Sequence, residues 1–84
     1  MVRIENTKES TARIEAALYS AGRPLRIEDI IRASGTESKT KTLELLNEII
    51  KKTKNAFIAL EIAILPDGTY VMQLKPEYSS TVKR

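Results

Sequence analysis

A chain of 84 residues has room for one domain, and at that size only about 60 to 65% of the unfolded surface is hidden, which argues against a deep active-site cleft. With 42% apolar residues, 30% charged residues and three each of glycine and proline, the composition is that of a folded soluble domain, and it excludes a disordered or fibrous chain. Fourteen Lys and Arg against eleven Asp and Glu leave a net charge of +3, too small an excess to announce a nucleic-acid binder by itself. The absence of Cys and His excludes thiolate nucleophiles, disulfides, imidazole bases and the common zinc ligand sets. The N-terminal stretch has no apolar signal core, and the longest apolar run, Ala56 to Leu65, is short and interrupted by Glu61. A cytoplasmic protein without a membrane span is therefore expected.

In chain order, Asn6 followed by Glu9 has the spacing of a capping box, predicting a first helix from near Thr7 to Ala21 with Gly22 as its left-handed stop. Ile14, Ala17, Leu18 and Ala21 form its core stripe. Gly22 to Leu25 read as a turn. Ile27, Ile30 and Ile31 then mark a short second helix, whose acidic first turn, Glu28 and Asp29, suits the helix dipole and which Gly35 closes. Ser38 is a plausible N-cap for a longer third helix to about Lys54, with Leu43, Leu46, Ile49 and Ile50 on one side.

After that the period changes from helical to alternating. Ile58, Leu60, Ile62 and Ile64 predict the inner face of a strand, Tyr70, Met72 and Leu74 predict a second strand, and Pro66-Asp67-Gly68 between them is a hairpin turn. Three helices followed by a hairpin is an α+β order, that of a winged helix, in which helices two and three form the helix-turn-helix and the hairpin is the wing. A single domain over residues 1–84 is expected, with an ordered core at about 7–78.

Two stretches carry a resemblance. Ile14 to Leu25, ending Ala21-Gly22-Arg23-Pro24-Leu25, resembles the opening of segregation and condensation protein B, and Gly68-Thr69-Tyr70 with Lys75-Pro76-Glu77-Tyr78 is similar to the wing and exit of that family's first winged-helix domain. The resemblance covers roughly Ile14 to Tyr78. It implies a non-enzymatic, cofactor-free subunit of an SMC chromosome-organising complex, a homodimer that binds the kleisin bridging the two ATPase heads. The chain departs from the family pattern at Arg26, where a hydroxyl residue usually caps helix two, and in ending at Arg84 where the family usually continues into a second winged helix.

As a possible recognition helix, the third offers Thr36, Ser38, Lys39, Thr40 and Lys41 near its start, of which Ser38, Lys39 and Lys41 are the candidates for weak nucleic-acid contact. The face opposite its apolar stripe, however, carries Thr40, Glu44, Asn47, Glu48 and Lys51, with Lys41, Lys51 and Lys52 spaced to pair with the glutamates, and the wing tip carries an acid and no base. Backbone-only DNA contact, in the range of roughly 10⁻⁴ to 10⁻⁶ M, is the most this face supports.

Apolar surface points elsewhere. Ala12, Ala16 and Tyr19 form a second, small-residue side of helix one on which a partner helix can approach closely, and Phe57 and Leu65 lie on the outer face of the first strand. These five residues are the candidates for protein contact. The outer strand face has two possible covers, the segment around Tyr78 or a second subunit. The carboxylate pairs Glu28/Asp29 and Glu44/Glu48 sit on exposed turns among cations, no glycine-rich phosphate loop exists, and neither catalysis nor a small-molecule substrate is expected. The sequence thus favours a kleisin-binding homodimer. A winged-helix transcription regulator is the alternative, and an adaptor domain of a larger enzyme a third.

Overall fold

The computed structural model describes residues 7–78, so the predicted capping residue Asn6 lies outside the described part. Three helices, α1 (Thr7–Ala21), α2 (Ile27–Ser34) and α3 (Lys39–Ala56), precede the strands β1 (Leu60–Ile64) and β2 (Tyr70–Leu74). In α1, Ser10, Ile14 and Leu18 are buried at spacings of four, so one face of the helix meets the core. Arg26 stands at the N-cap of α2 with extended backbone and cannot accept a helical N–H as a hydroxyl would. Asp29 compensates from the other side. Its carboxylate accepts the Arg26 N–H at 3.2 Å and the Arg32 guanidinium at 2.6 Å.

The turn from α2 into α3 is built on Gly35, at φ 81°, and on a triangle of hydroxyls. Thr42 Oγ1 lies 3.1 Å from Ser34 Oγ and 3.0 Å from Thr36 Oγ1, and the latter two are 3.3 Å apart. Ser38 caps α3 as expected, its Oγ accepting the Lys41 N–H at 3.1 Å. The core face of α3 is rotated from the predicted one: Thr42, Leu45, Leu46, Ile49 and Thr53 are buried, while Leu43 and Ile50 are half-buried at its flank. Hydropathy alone passes over Thr42 because a buried hydroxyl is costly, but here Ser34 and Thr36 satisfy it.

A methyl group at Gly35 would stand 2.9 Å from Arg13 Nη1 in addition to adopting a left-handed backbone, whereas one at Gly22, φ 67°, would meet nothing. Gly35→Ala is therefore expected to cost about 1 to 2 kcal/mol of unfolding free energy, and Gly22→Ala no more than its backbone share of about 1 kcal/mol. Urea denaturation of the pair checks this. Equal costs would mean that Arg13 moves aside freely.

β1 and β2 pair antiparallel, Leu60 with Leu74 through Ile64 with Tyr70. The Pro66-Asp67-Gly68 turn is as expected: Leu65 N–H donates to Thr69 O at 2.8 Å, and Gly68 has φ 86°. Two expectations need correction. Ile58 is not on an inner strand face but 77% exposed, because Phe57 and Ile58 are used in leaving α3 and the strand starts at Leu60. Ile64 has the inward parity but is 59% exposed, since the hairpin carries it past the helices; Ile62 alone of the predicted four is buried.

Leu25 is more than part of a turn. Its N–H donates to Tyr70 O and its carbonyl accepts the Tyr70 N–H, both at 2.8 Å, forming a third rung beside β2. This ties the α1–α2 connection to the wing. Leu25 thereby enters a core shared by Ile14, Leu18, Ile30, Leu45, Leu46, Ile49 and Ile62, against which Tyr70 and Met72 pack.

Candidate interaction surface

Four of the five residues singled out for protein contact line one open apolar groove of about 700 Å³ between α1 and the C-terminal end of α3. One wall is α1, through Ala12, Glu15, Ala16 and Tyr19; the other is Lys52, Thr53 and Ala56, continued by Phe57. Leu60 and Met72 complete the lining. Tyr19, 78% exposed, and Phe57, 48% exposed, stand free at the groove, while Ala12 and Ala16 are exposed and present only methyl groups. Small side chains along a helix allow another helix to come close, and the Glu15 and Lys52 charges on opposite walls can orient it.

Leu65 is not part of this groove. It is half-buried at the hairpin end, where its N–H bonds Thr69. Alternation assigns Leu60 and Met72 to the inner face, and Ala56 lies beyond the expected end of the third helix at about Lys54, whereas α3 runs to Ala56; the groove opens where the core runs out between two helices, which no local pattern encodes.

On α3, the residues expected opposite the core, Thr40, Glu44, Asn47, Glu48 and Lys51, are all exposed. The pairing expected between its lysines and glutamates does not form: among the described residues the ion pairs are Arg13–Glu9, Arg26–Asp29 and Arg32–Asp29. Exposed pairs of long side chains gain too little to hold one geometry. Thr36 is occupied in the hydroxyl triangle and Ser38 in capping, whereas Lys39 and Lys41 are exposed. At the wing tip the Thr69 hydroxyl, at 2.6 Å, and the Thr69 N–H hold the Asp67 carboxyl below the usual carboxylate range. That surface is thus negative where a DNA-binding wing needs positive charge.

Neither carboxylate pair forms an acid-base site: Asp29 is bound to arginine and the Arg26 N–H, and Glu28, Glu44 and Glu48 are exposed. Among the described residues no cluster of acidic side chains could hold a metal ion, and no helix is long and apolar enough to cross a membrane.

The sequence pattern of the segregation and condensation complex subunit ScpB family matches residues 12–84. The chain belongs to the ScpB family. No curated protein matches the sequence. Among solved structures it is similar to a conserved hypothetical protein from Chlorobium tepidum, with a TM-score of 0.72 at 16% identity over 90% of this chain. That likeness shows the fold, a winged helix. The chain spans about half, 47%, of the Chlorobium protein. Both stretches that carried the resemblance fall within the matched residues, and Leu25, at the end of the first, is bonded to Tyr70 of the wing.

Proposed function

We propose that this ScpB-family chain is a non-enzymatic subunit of an SMC-kleisin complex for chromosome segregation and condensation, acting in the cytoplasm on the nucleoid. In this reading residues 1–84 work as one winged-helix unit, two copies associate, and the kleisin lays an amphipathic helix in the groove between α1 and α3. The observation that carries it is the groove itself: an apolar trough with Ala12 and Ala16 along one wall and free aromatic rings at Tyr19 and Phe57, a shape suited to a helix. Aromatic side chains that become buried when a partner docks dominate the energy of protein interfaces.

The alternative, a regulator that reads DNA with α3, is disfavoured by exposed Glu44 and Glu48 and by Asp67 on the wing. Lys39 and Lys41 support no more than weak, salt-sensitive contact.

Mixing the purified chain with a kleisin fragment tests the two. Co-elution is expected, and Ala16→Glu, which fills the groove with a charge, is expected to weaken it by about 10- to 100-fold at unchanged melting temperature. Undiminished binding by this variant would move the kleisin to another surface. Enrichment of one sequence from a random DNA pool, without co-elution, would establish the regulator instead.

A further inference from the structure

We propose that two copies of the chain join through the free edge of β1, running antiparallel about a twofold axis at Ile62, so that their hairpins form one continuous sheet. The proposal rests on the homodimer reading above and supplies its interface, leaving the α1–α3 groove to the kleisin.

The sheet runs from the Leu25 rung through β2 to β1, and among the described residues nothing pairs with the outer edge of β1. Two hydrogen bonds set the phase of the ladder: Lys75 N–H to Ala59 O at 2.7 Å and Leu65 N–H to Thr69 O at 2.8 Å. Antiparallel pairs alternate between bonded and non-bonded residues, so 59, 61, 63 and 65 turn their peptide groups toward β2. Leu60, Ile62 and Ile64 turn theirs outward. Tyr70 agrees with this phase, since its partner is Ile64 and it gives both its peptide groups to Leu25.

Exposed edges are normally guarded by charged side chains, above all lysine, by proline or by a bulge. β1 reads Leu-Glu-Ile-Ala-Ile, pairs without a bulge, carries no lysine or proline, and its one charge, Glu61, is held by Gln73 of β2. Outside the groove, the exposed large apolar side chains beside and within β1 are Ile58 and Ile64.

The strand is also complementary to itself in one register. An axis at Ile62 sets each Leu60 opposite the partner's Ile64 and each Glu61 opposite the partner's Ala63, and every outward N–H meets an outward carbonyl. Neither glutamate faces its twin, and Glu61 keeps its own hydrogen bond from Gln73 at 3.0 Å. An axis at Glu61 would oppose the two carboxylates directly. One at Ala63 would set Leu60 against the partner's Pro66, which has no N–H to give.

The natural chain contains no cysteine, so engineered thiols report on this register alone. Glu61→Cys and Ala63→Cys are made as separate proteins, mixed and oxidised. Residues in a non-bonded antiparallel pair have Cα atoms about 4.5 Å apart, within disulfide reach, whereas diagonal neighbours at about 7 to 8 Å are not. A covalent dimer several-fold more abundant in the mixture than in either variant alone is expected. Light scattering accompanies it, on the unmodified chain and on Ile64→Pro, which removes an outward N–H that the hairpin does not use. A dimer for the former and at least a tenfold weaker one for the latter are expected. A dimer without selective cross-linking, or one indifferent to Ile64→Pro, overturns the β1 interface and leaves the homodimer reading intact. A monomer at every concentration overturns both.

Discussion

Leu46→Ala is expected to lower the unfolding free energy by about 3 to 4 kcal/mol, as large a loss as truncation of a fully buried aliphatic side chain brings. Leu46 is wholly buried in a core to which all three helices and the wing contribute side chains. A domain of this length holds only roughly 5 to 10 kcal/mol, so the melting temperature should fall by about 12 to 30 °C. Leu43→Ala is the control. The sequence pattern places both leucines on one core stripe, but Leu43 is half-buried at its edge and should cost less than about 1.5 kcal/mol. Guanidinium unfolding followed by circular dichroism measures both. Comparable losses would mean that α3 is rotated from the orientation described.

Thr42→Ala is expected to cost about 2 to 3 kcal/mol, and its parts can be separated. Counting protons in the triangle shows why. Ser34 Oγ–H is directed to Ile31 O at 2.8 Å, and Thr36 Oγ1–H can reach Ser38 O at 3.3 Å, so the Thr42 hydroxyl is the donor that remains for its neighbours. Thr42→Val keeps the shape and removes that donor, for about 1 to 2 kcal/mol, while Thr42→Ser keeps the donor and opens a methyl-sized void, for about 1 kcal/mol. Thermal unfolding of the three variants should therefore rank alanine as the most damaging. A neutral Thr42→Val would show that the triangle contributes nothing net.

Leu46 and Thr42 differ in how much of their burial is encoded locally. Leu46 is legible from helical spacing among Leu43, Ile49 and Ile50. Thr42 is not, because a threonine belongs to the core only when another element brings it a partner, and Ser34 lies on the preceding helix. The same holds for the wing. Alternation predicted the hairpin and its turn, yet left Ile58 on the inner face, since periodicity cannot tell where a helix stops spending residues on its exit.

The surface divides similarly. Ala12, Ala16 and Tyr19 share a helix face by spacing alone, and Phe57 stands out as an apolar residue with no assigned cover. That they line a single groove, and that Leu65 does not, depends on how α1 crosses the end of α3.

By itself the sequence determined the element order, the caps at Ser38 and Gly35, the hairpin turn and the exclusion of His and Cys chemistry, because each depends on residues close together in the chain or on composition. Only the tertiary structure decided which side of α3 is buried, that Leu25 bridges to Tyr70 of the wing, where the groove opens and which edge of β1 faces away from β2. Those depend on contacts between residues distant in sequence, whose free energies local pattern does not contain.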